Sequence, residues 1–398
     1  MNNNSNSNSN SNSNSNINAS AETDDGQQLF LESADRFLER HSAAGPADGF
    51  SAARWEQFAE MGWLGLGLPE ELGGFLSLHE AMLLMEKLGA AGLREPLMDN
   101  LILCGHYLAN HGTTAQKAIC AQMVQGKTIL SWAMAETASR HDWADGQTAL
   151  DSTGLILVGQ KSLVACAQLS QYVLVLARES NEKGQTALLL PLSRYGIRLR
   201  HYATYDGRPC SDITFDRVQV FEDDVVGNRC EAHSAVDAAM NGAYVALACE
   251  AAGAMRSAYQ LTLAYARTRK QFGKVLTANQ AYQHALVDMY VAVEEAQGLA
   301  HHASHLLCFT GHKSAFTPAG EASPSAARWA SAAKAFASAD GRTVGEQSVQ
   351  LHGAIGMTED YAVGRHYKRL AAIANQYGDA DWHLLRIREL DTLGNGDA

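Results

Sequence analysis

The sequence predicts a mainly α-helical protein with a β domain set between an N-terminal helical domain and a C-terminal four-helix bundle. Three observations carry this. Apolar residues recur at three- and four-residue steps at both ends of the chain, as one face of a helix requires. Between them lie short β-rich runs separated by Gly, Asp and Asn. Of 398 residues, 46% are hydrophobic and 19% charged, which suits a large buried core and more than one domain.

Taken in order, residues 1–24 form a tail. Positions 2–16 are only Asn and Ser, a tract with nothing to bury and so predicted to be disordered. Over residues 25–126, Leu29, Phe30, Ala34, Phe37 and Leu38 mark one helix and Ala81, Leu84, Met85 and Leu88 another. Between these lies FAEMGWLGLGLPEELGG (58–74), where Pro69 and Gly73-Gly74 punctuate a turn. Residues 127–228 read as an antiparallel β domain, with strands at Thr128–Ala133, Leu155–Val158, Tyr172–Ala177, Thr186–Pro191 and Ile213–Phe221. Residues 229–398 are helical again. Val236–Gln271, Ala281–Leu307 and Ser325–Leu351 are long helices, Gly311–Pro324 is a loop, and Glu359–Ile373 begins a fourth helix. Small residues at 246, 248 and 251–254 let neighbouring helices approach closely.

Lys and Arg number 31 and Asp and Glu 43, giving a formal charge of −12. An acidic chain lacks the basic surface that non-specific binding to nucleic acid or an anionic membrane needs. The seven Cys include no CxxC pair, so neither a zinc ribbon nor a redox dithiol is indicated. No apolar run is long enough to span a bilayer and the N-terminus lacks the pattern of a signal peptide, so the expected location is cytoplasmic. In HHASH (301–305), His301 and His305 share a helical face, but no third ligand follows at helical spacing and no metal site is predicted.

Two C-terminal stretches can carry chemistry. RTRKQFGK (267–274) is a cationic helix end broken by a Gly, able to clamp a phosphate through guanidinium groups and backbone N–H. QLHGAIGMTEDYAVGRHYKRL (350–370) places Gly353 and Gly356 beside a helix start, which is an anion-binding arrangement. A helix end followed by a helix–helix turn explains both without a ligand.

These two stretches, with FAEMGWLGLGLPEELGG, DGRPCSDITFDRVQV and the α–β–α order, resemble the acyl-CoA dehydrogenase family from about residue 27 to 395. The resemblance implies FAD as cofactor, an acyl-CoA thioester as substrate, an electron-transfer acceptor, and assembly as a dimer or dimer of dimers. It also implies that Arg269, Phe272 and Gln280 from the first stretch, and Gln350 and Gly353 from the second, hold FAD across a subunit interface. His352 is expected to pack rather than to transfer protons. The family reaction removes an α-proton to a carboxylate base and a β-hydrogen as hydride to the flavin.

Where that base should stand, the sequence departs from the family. One family position for the Glu is occupied by Tyr377, followed by Gly378 and Asp379; the other is Ala243, followed by Tyr244. A phenol with a reference pKa of about 10 is no ground-state base near neutrality. The loop that seats the chain's own flavin is AETASRHD (135–142), keeping Glu136 but not the Pro and Gly, and Leu163-Val164-Ala165 replaces the segment that backs the flavin ring. Glu250 lies two turns beyond Ala243 and is expected to be structural, leaving Asp379 as the substitute carboxylate. The pattern resembles the accessory subunit of two-component acyl-CoA dehydrogenases, in which two homologous chains share FAD sites and one supplies the base. A self-sufficient enzyme using Asp379 and a non-catalytic structural or regulatory subunit are the alternatives.

Overall fold

The computed structural model describes residues 11–41, 50–139, 141–180, 183–271, 273–309, 324–358 and 361–394, with side chains from Gly26 to Thr392. The N-terminal helical spacing becomes α1 (Ser11–His41), α2 (Ala52–Glu60), α3 (Leu78–Ala91), α4 (His106–His111) and α5 (Thr114–Val124). Of the expected tail, residues 1–10 lie outside the described residues. From Ser11 the backbone is helical, as the N-terminal continuation of a half whose Phe30, Ala34, Phe37 and Leu38 are buried.

Helix α3 shows why these elements start and stop where they do. The Glu80 carboxylate accepts from the Ser77 N–H at 2.8 Å, and Ser77 Oγ accepts from the His79 N–H at 3.1 Å, so two orphan donors are satisfied at the helix start. The helix ends at Gly92, whose φ of +69° is left-handed. Between α3 and α4 the chain makes a π-helical segment, Met98–Gly105, buried throughout.

The middle of the chain forms β1 (Leu130–Ala133), β2 (Ala149–Leu150), β3 (Ile156–Ala165), β4 (Tyr172–Glu179), β5 (Gln185–Pro191), β6 (Ile197–Ala203), β7 (Pro209–Gln219) and β8 (Val225–Val226). The sheet runs β6-β7-β3-β2-β4-β5-β8, with β1 also on β4. Its main ladders are antiparallel as expected, but β1 and β2 each pair with β4 in parallel. Both reach β4 through long connections rather than hairpins, which is what parallel pairing requires. Gln116 Nε2 of α5 donates to the Asp223 and Val225 carbonyls at 3.0 Å each, tying the β domain to the N-terminal helices.

The C-terminal region holds α6 (Ala232–Thr268), α7 (Gln280–Phe309), α8 (Pro324–His352), α9 (Ala362–Ile373) and α10 (Ala380–Gly394). Among the described residues, the fourth expected helix is divided into α9 and α10 by an interruption at Tyr377 (φ +55°) and Gly378 (φ +114°). All but the last residue of the loop expected at Gly311–Pro324 lies outside the described residues, as do residues 359–360 of the expected fourth helix. A small hairpin, Lys270–Gln271 paired with Lys274–Val275, follows α6.

The small residues of α6 serve the close approach that the sequence predicts. A Cβ on Gly253 would stand 1.9 Å from the Glu86 carbonyl oxygen of α3, and one on Gly89 2.0 Å from that of Glu250. One continuous apolar core unites the N-terminal helices with α6, α7 and α8, while the β domain has its own around Leu157, Val173, Leu188 and Phe215.

Candidate active site

The two cationic and Gly-rich stretches come together at one end of the bundle. Tyr282 O–H at the start of α7 donates to the Leu351 carbonyl at the end of α8 over 3.2 Å. Tyr265 of α6 stacks on His352 with ring centroids 4.5 Å apart. His352 Nδ1 meets the Ser348 carbonyl at 2.7 Å, and burial pulls the ring's pKa down, as a packing role requires. Around this junction Arg269, Gln280, Gln350 and Gly353 are all exposed. Gly273 (φ +81°) and Gly353 (φ +67°) are left-handed with open space where a Cβ would stand. Phe272 lies outside the described residues.

Position 377 lies in the loop between α9 and α10, facing the π-helical segment. Tyr377 O–H donates to Asp99 Oδ1 at 3.2 Å. Asp99 is buried, and burial raises its carboxyl pKa, although Arg208, the Tyr377 hydrogen bond and Arg369 pull the other way. Burial and the neighbouring Asp99 push the Tyr377 phenol well above its ordinary value, so it stays protonated. On α6, Ala243 and Tyr244 are fully buried, with the Tyr244 ring edge-on to His383 at 4.6 Å. Neither family base position carries a carboxylate.

Asp379 does not reach this interior. Its Oδ1 accepts from the Trp382 N–H at 2.9 Å, capping α10, and the side chain is half exposed with His141 Nε2 4.0 Å away. That carboxylate is committed to the helix start.

The structural reading of Glu250 expands into a buried ion network. Its carboxylate takes Arg369 Nε and Nη2 at 2.7 and 2.6 Å, and Arg208 Nη2 bonds the same carboxylate. Arg369 Nη1 continues to Asp206 Oδ2 at 3.1 Å and to Gln376 Oε1 at 3.2 Å. Burial pushes Glu250 up, but Arg208 and Arg369 outweigh it and hold the carboxyl below its ordinary value. The sequence expectations missed Asp99, Arg208 and Arg369. Asp99 had a signal, being a lone acid that, with Asn100, interrupts the apolar run following Pro96.

In the β domain, the retained Glu136 is buried against Lys161, with Nζ to Oε1 at 2.7 Å and Nζ to the Met134 carbonyl at 3.1 Å. Glu136 also accepts from the Gln147 and Thr148 N–H groups, so it closes the 136–148 loop rather than facing a ligand. Leu163 is 63% exposed, at a bulge with φ +56°. Its N–H donates to Tyr202 Oη at 3.2 Å. His301 is drawn to Glu86 at 2.5 Å, and among the described residues no three His, Cys, Asp or Glu side chains converge as a metal site would need. No helix among those residues is long and apolar enough to cross a membrane.

Comparison with known proteins covers nearly the whole chain. Acyl-CoA dehydrogenase family domains match in order, the N-terminal domain over residues 24–127, the middle domain over 131–218 and the C-terminal domain over 234–389. Acyl-CoA dehydrogenase FadE12 of Mycobacterium tuberculosis is 30% identical over 336 residues, covering 80% of this chain and 83% of that one. The caffeyl-CoA reductase-Etf complex subunit CarC of Acetobacterium woodii is 25% identical over 325 residues, covering 79% and 82%. Butyryl-CoA dehydrogenase of Megasphaera elsdenii, a solved structure, shares the fold at a TM-score of 0.79, with 22% identity over 90% of this chain and 96% of that one. With its three domains matched in sequence and its helical, β and helical parts matched in space, the chain belongs to the acyl-CoA dehydrogenase family of FAD-dependent oxidoreductases.

Proposed function

We propose that the chain is a subunit of an FAD-dependent acyl-CoA dehydrogenase that lacks the standard Glu base and lends FAD-holding residues to a homologous partner's site. The reaction of that assembly is α,β-dehydrogenation of an acyl-CoA thioester, for which bound FAD supplies the hydride acceptor. One observation carries the reading: the base position holds Tyr377, fixed inward on Asp99, while Arg269, Gln280, Gln350 and Gly353 face outward at the bundle end. The outward end fits the cofactor. Guanidinium and backbone N–H suit a pyrophosphate, side-chain amides suit the polar edge of an adenosine, and left-handed glycines let backbone approach either. The inward end does not fit an acyl chain, because a buried ion network would face a hydrocarbon tail.

An electron-transfer protein is the proposed acceptor, in keeping with a relative that is a subunit of an Etf complex. Dehydrogenation by Asp379 within a single chain has less support, since that carboxylate caps α10.

The deciding measurement is the visible spectrum of the chain purified alone, with FAD per protomer determined after denaturation. Well under one FAD per chain, rising with yellow colour when a homologous partner is added, is the expected result. One FAD per chain and full acyl-CoA turnover alone, lost in Asp379→Asn, would instead make it a complete enzyme. A colourless preparation that no partner turns yellow would leave only a structural or regulatory role.

A further inference from the structure

Among the described residues, Lys334 is an anomalous charge. It lies on α8, wholly buried, and lysine is almost never so placed without a counter-ion. Its Nζ donates to two neutral oxygens, Ser338 Oγ at 2.7 Å and the Gly378 carbonyl at 2.8 Å. A neutral amine has two N–H bonds, which these acceptors satisfy; an ammonium has three.

The bond to Gly378 fastens the loop that presents Tyr377 to Asp99. That loop is held in an unfavourable shape, with Tyr377 left-handed at φ +55°. Gly378 is pressed onto α10 so closely that a Cβ would stand 2.6 Å from Trp382 Cε3 and 2.8 Å from His383 Nε2. A strained loop on a tight seat depends on the bonds that tie it down.

We infer that Lys334 is a pH-sensitive latch: as an amine it seats the loop carrying Tyr377, and on protonation it releases the loop and opens the interior around Asp99. This goes beyond the shared-site reading and does not depend on it.

The groups facing Lys334 come from three elements. Asp379 of the loop favours the charge, Arg369 of α9 opposes it, and His383 of α10 lies close by. His383 brings no negative charge, because burial with Lys334 and Arg386 pushes its pKa down to about 2 and keeps the ring neutral. Burial is the largest influence on Lys334 and brings its pKa down to about 7. Charging the amine in place therefore adds a third donor and a cation to a buried seat whose two bonded partners are neutral oxygens. Lifting the loop relieves both by admitting water.

Proton linkage sets the expected response. With an open-state pKa near 10.5 and a closed-state pKa near 7, the loop-opening equilibrium rises as pH falls towards 7, then levels off. Between pH 8.5 and pH 6 the total gain is about thirty-fold. Hydrogen exchange of the 374–384 backbone in the full chain, corrected for the intrinsic pH dependence of exchange, reads this directly. Lys334→Met, of similar length and without charge, should hold protection constant across the same range. A wild-type loop whose corrected protection is flat with pH, or a Lys334→Met loop that keeps the rise, overturns the latch. Should Lys334→Met fail to fold, Asp379→Asn tests the same point, since Asn also caps a helix. Losing the one charge that favours the ammonium must move the levelling point to lower pH, and an unmoved point overturns the latch equally.

Discussion

Replacing Gly253 by Ala should separate α3 from α6 and lower stability. The new methyl would stand 1.9 Å from the Glu86 carbonyl oxygen and 2.9 Å from the Ala90 nitrogen. Both are backbone atoms within a helix, so neither can rotate aside. An ordinary contact needs about 3.3 Å, so the helices must part by more than ~1 Å, at an overpacking cost of about 1–3 kcal/mol or more. Removing a helical glycine returns about 0.5–1 kcal/mol. The cost wins, with an expected net loss of about 2 kcal/mol. Gly298 on α7 is the control, because it is exposed and nothing lies within 4 Å of a Cβ there. Gly298→Ala should stabilise by about 0.5–1 kcal/mol. Denaturant midpoints followed by circular dichroism measure both. A Cβ on Gly89 would stand 2.0 Å from the Glu250 carbonyl oxygen across the same crossing, so once one methyl has parted the helices the second costs less. The double variant must then lose less than the sum of the single losses. A Gly253→Ala protein as stable as the parent, or strict additivity with Gly89→Ala, would refute the close-crossing argument.

Two further outcomes follow from the interior. Glu250→Gln leaves Arg369 and Arg208 buried against a neutral amide and should cost about 3 kcal/mol. Because the folded pKa of Glu250 lies below its ordinary 4.5, its stabilisation is complete above that pH and is lost as pH falls through the lower folded value. Melting temperatures in that acid range should therefore fall less steeply in the variant than in the parent. Tyr377→Phe removes the donor to Asp99 and leaves a buried acceptor unpaired, an expected loss of about 1–2 kcal/mol in chemical denaturation. A loss below a few tenths would mean that water already serves Asp99.

The order of helical, β and helical parts was legible because each depends on local periodicity. Strand β6 escaped notice although its residues alternate, since Arg198, Arg200 and His201 face solvent and dilute the β signal. The interruption that makes α10 a separate helix was also missed. Nothing in IANQYGDADW forbids a helix except Gly378, and the left-handed Tyr377 is imposed by packing rather than by its own preference. At the bundle end, the family resemblance implied Arg269, Gln280, Gln350 and Gly353, and the Tyr282–Leu351 bond joins the two stretches that carry them. The interior was not legible. Glu250 meets an Arg 119 positions away and Tyr377 an Asp 278 positions away, and one sequence holds no local trace of such pairings.

The interior contacts share a logic that no single contact reveals. Asp99 comes from the π-helical segment, Arg208 and Asp206 from the turn before β7, Glu250 from α6, Arg369 from α9 and Tyr377 from the loop after it. Each would be costly to bury alone, and each is satisfied only when the N-terminal, β and C-terminal parts meet in one register. Such a network adds little net stability over apolar residues of the same volume, but it penalises misregister heavily, since one displaced element strands several charges. Within it Arg208 Nε stands 3.7 Å from Asp206 Oδ2, in ion-pair range but without a hydrogen bond. On the proposed shared-site reading, such a chain spends these interior polar groups on registering its own domains and keeps Arg269, Gln280 and Gln350 exposed at the bundle end for a neighbour's site.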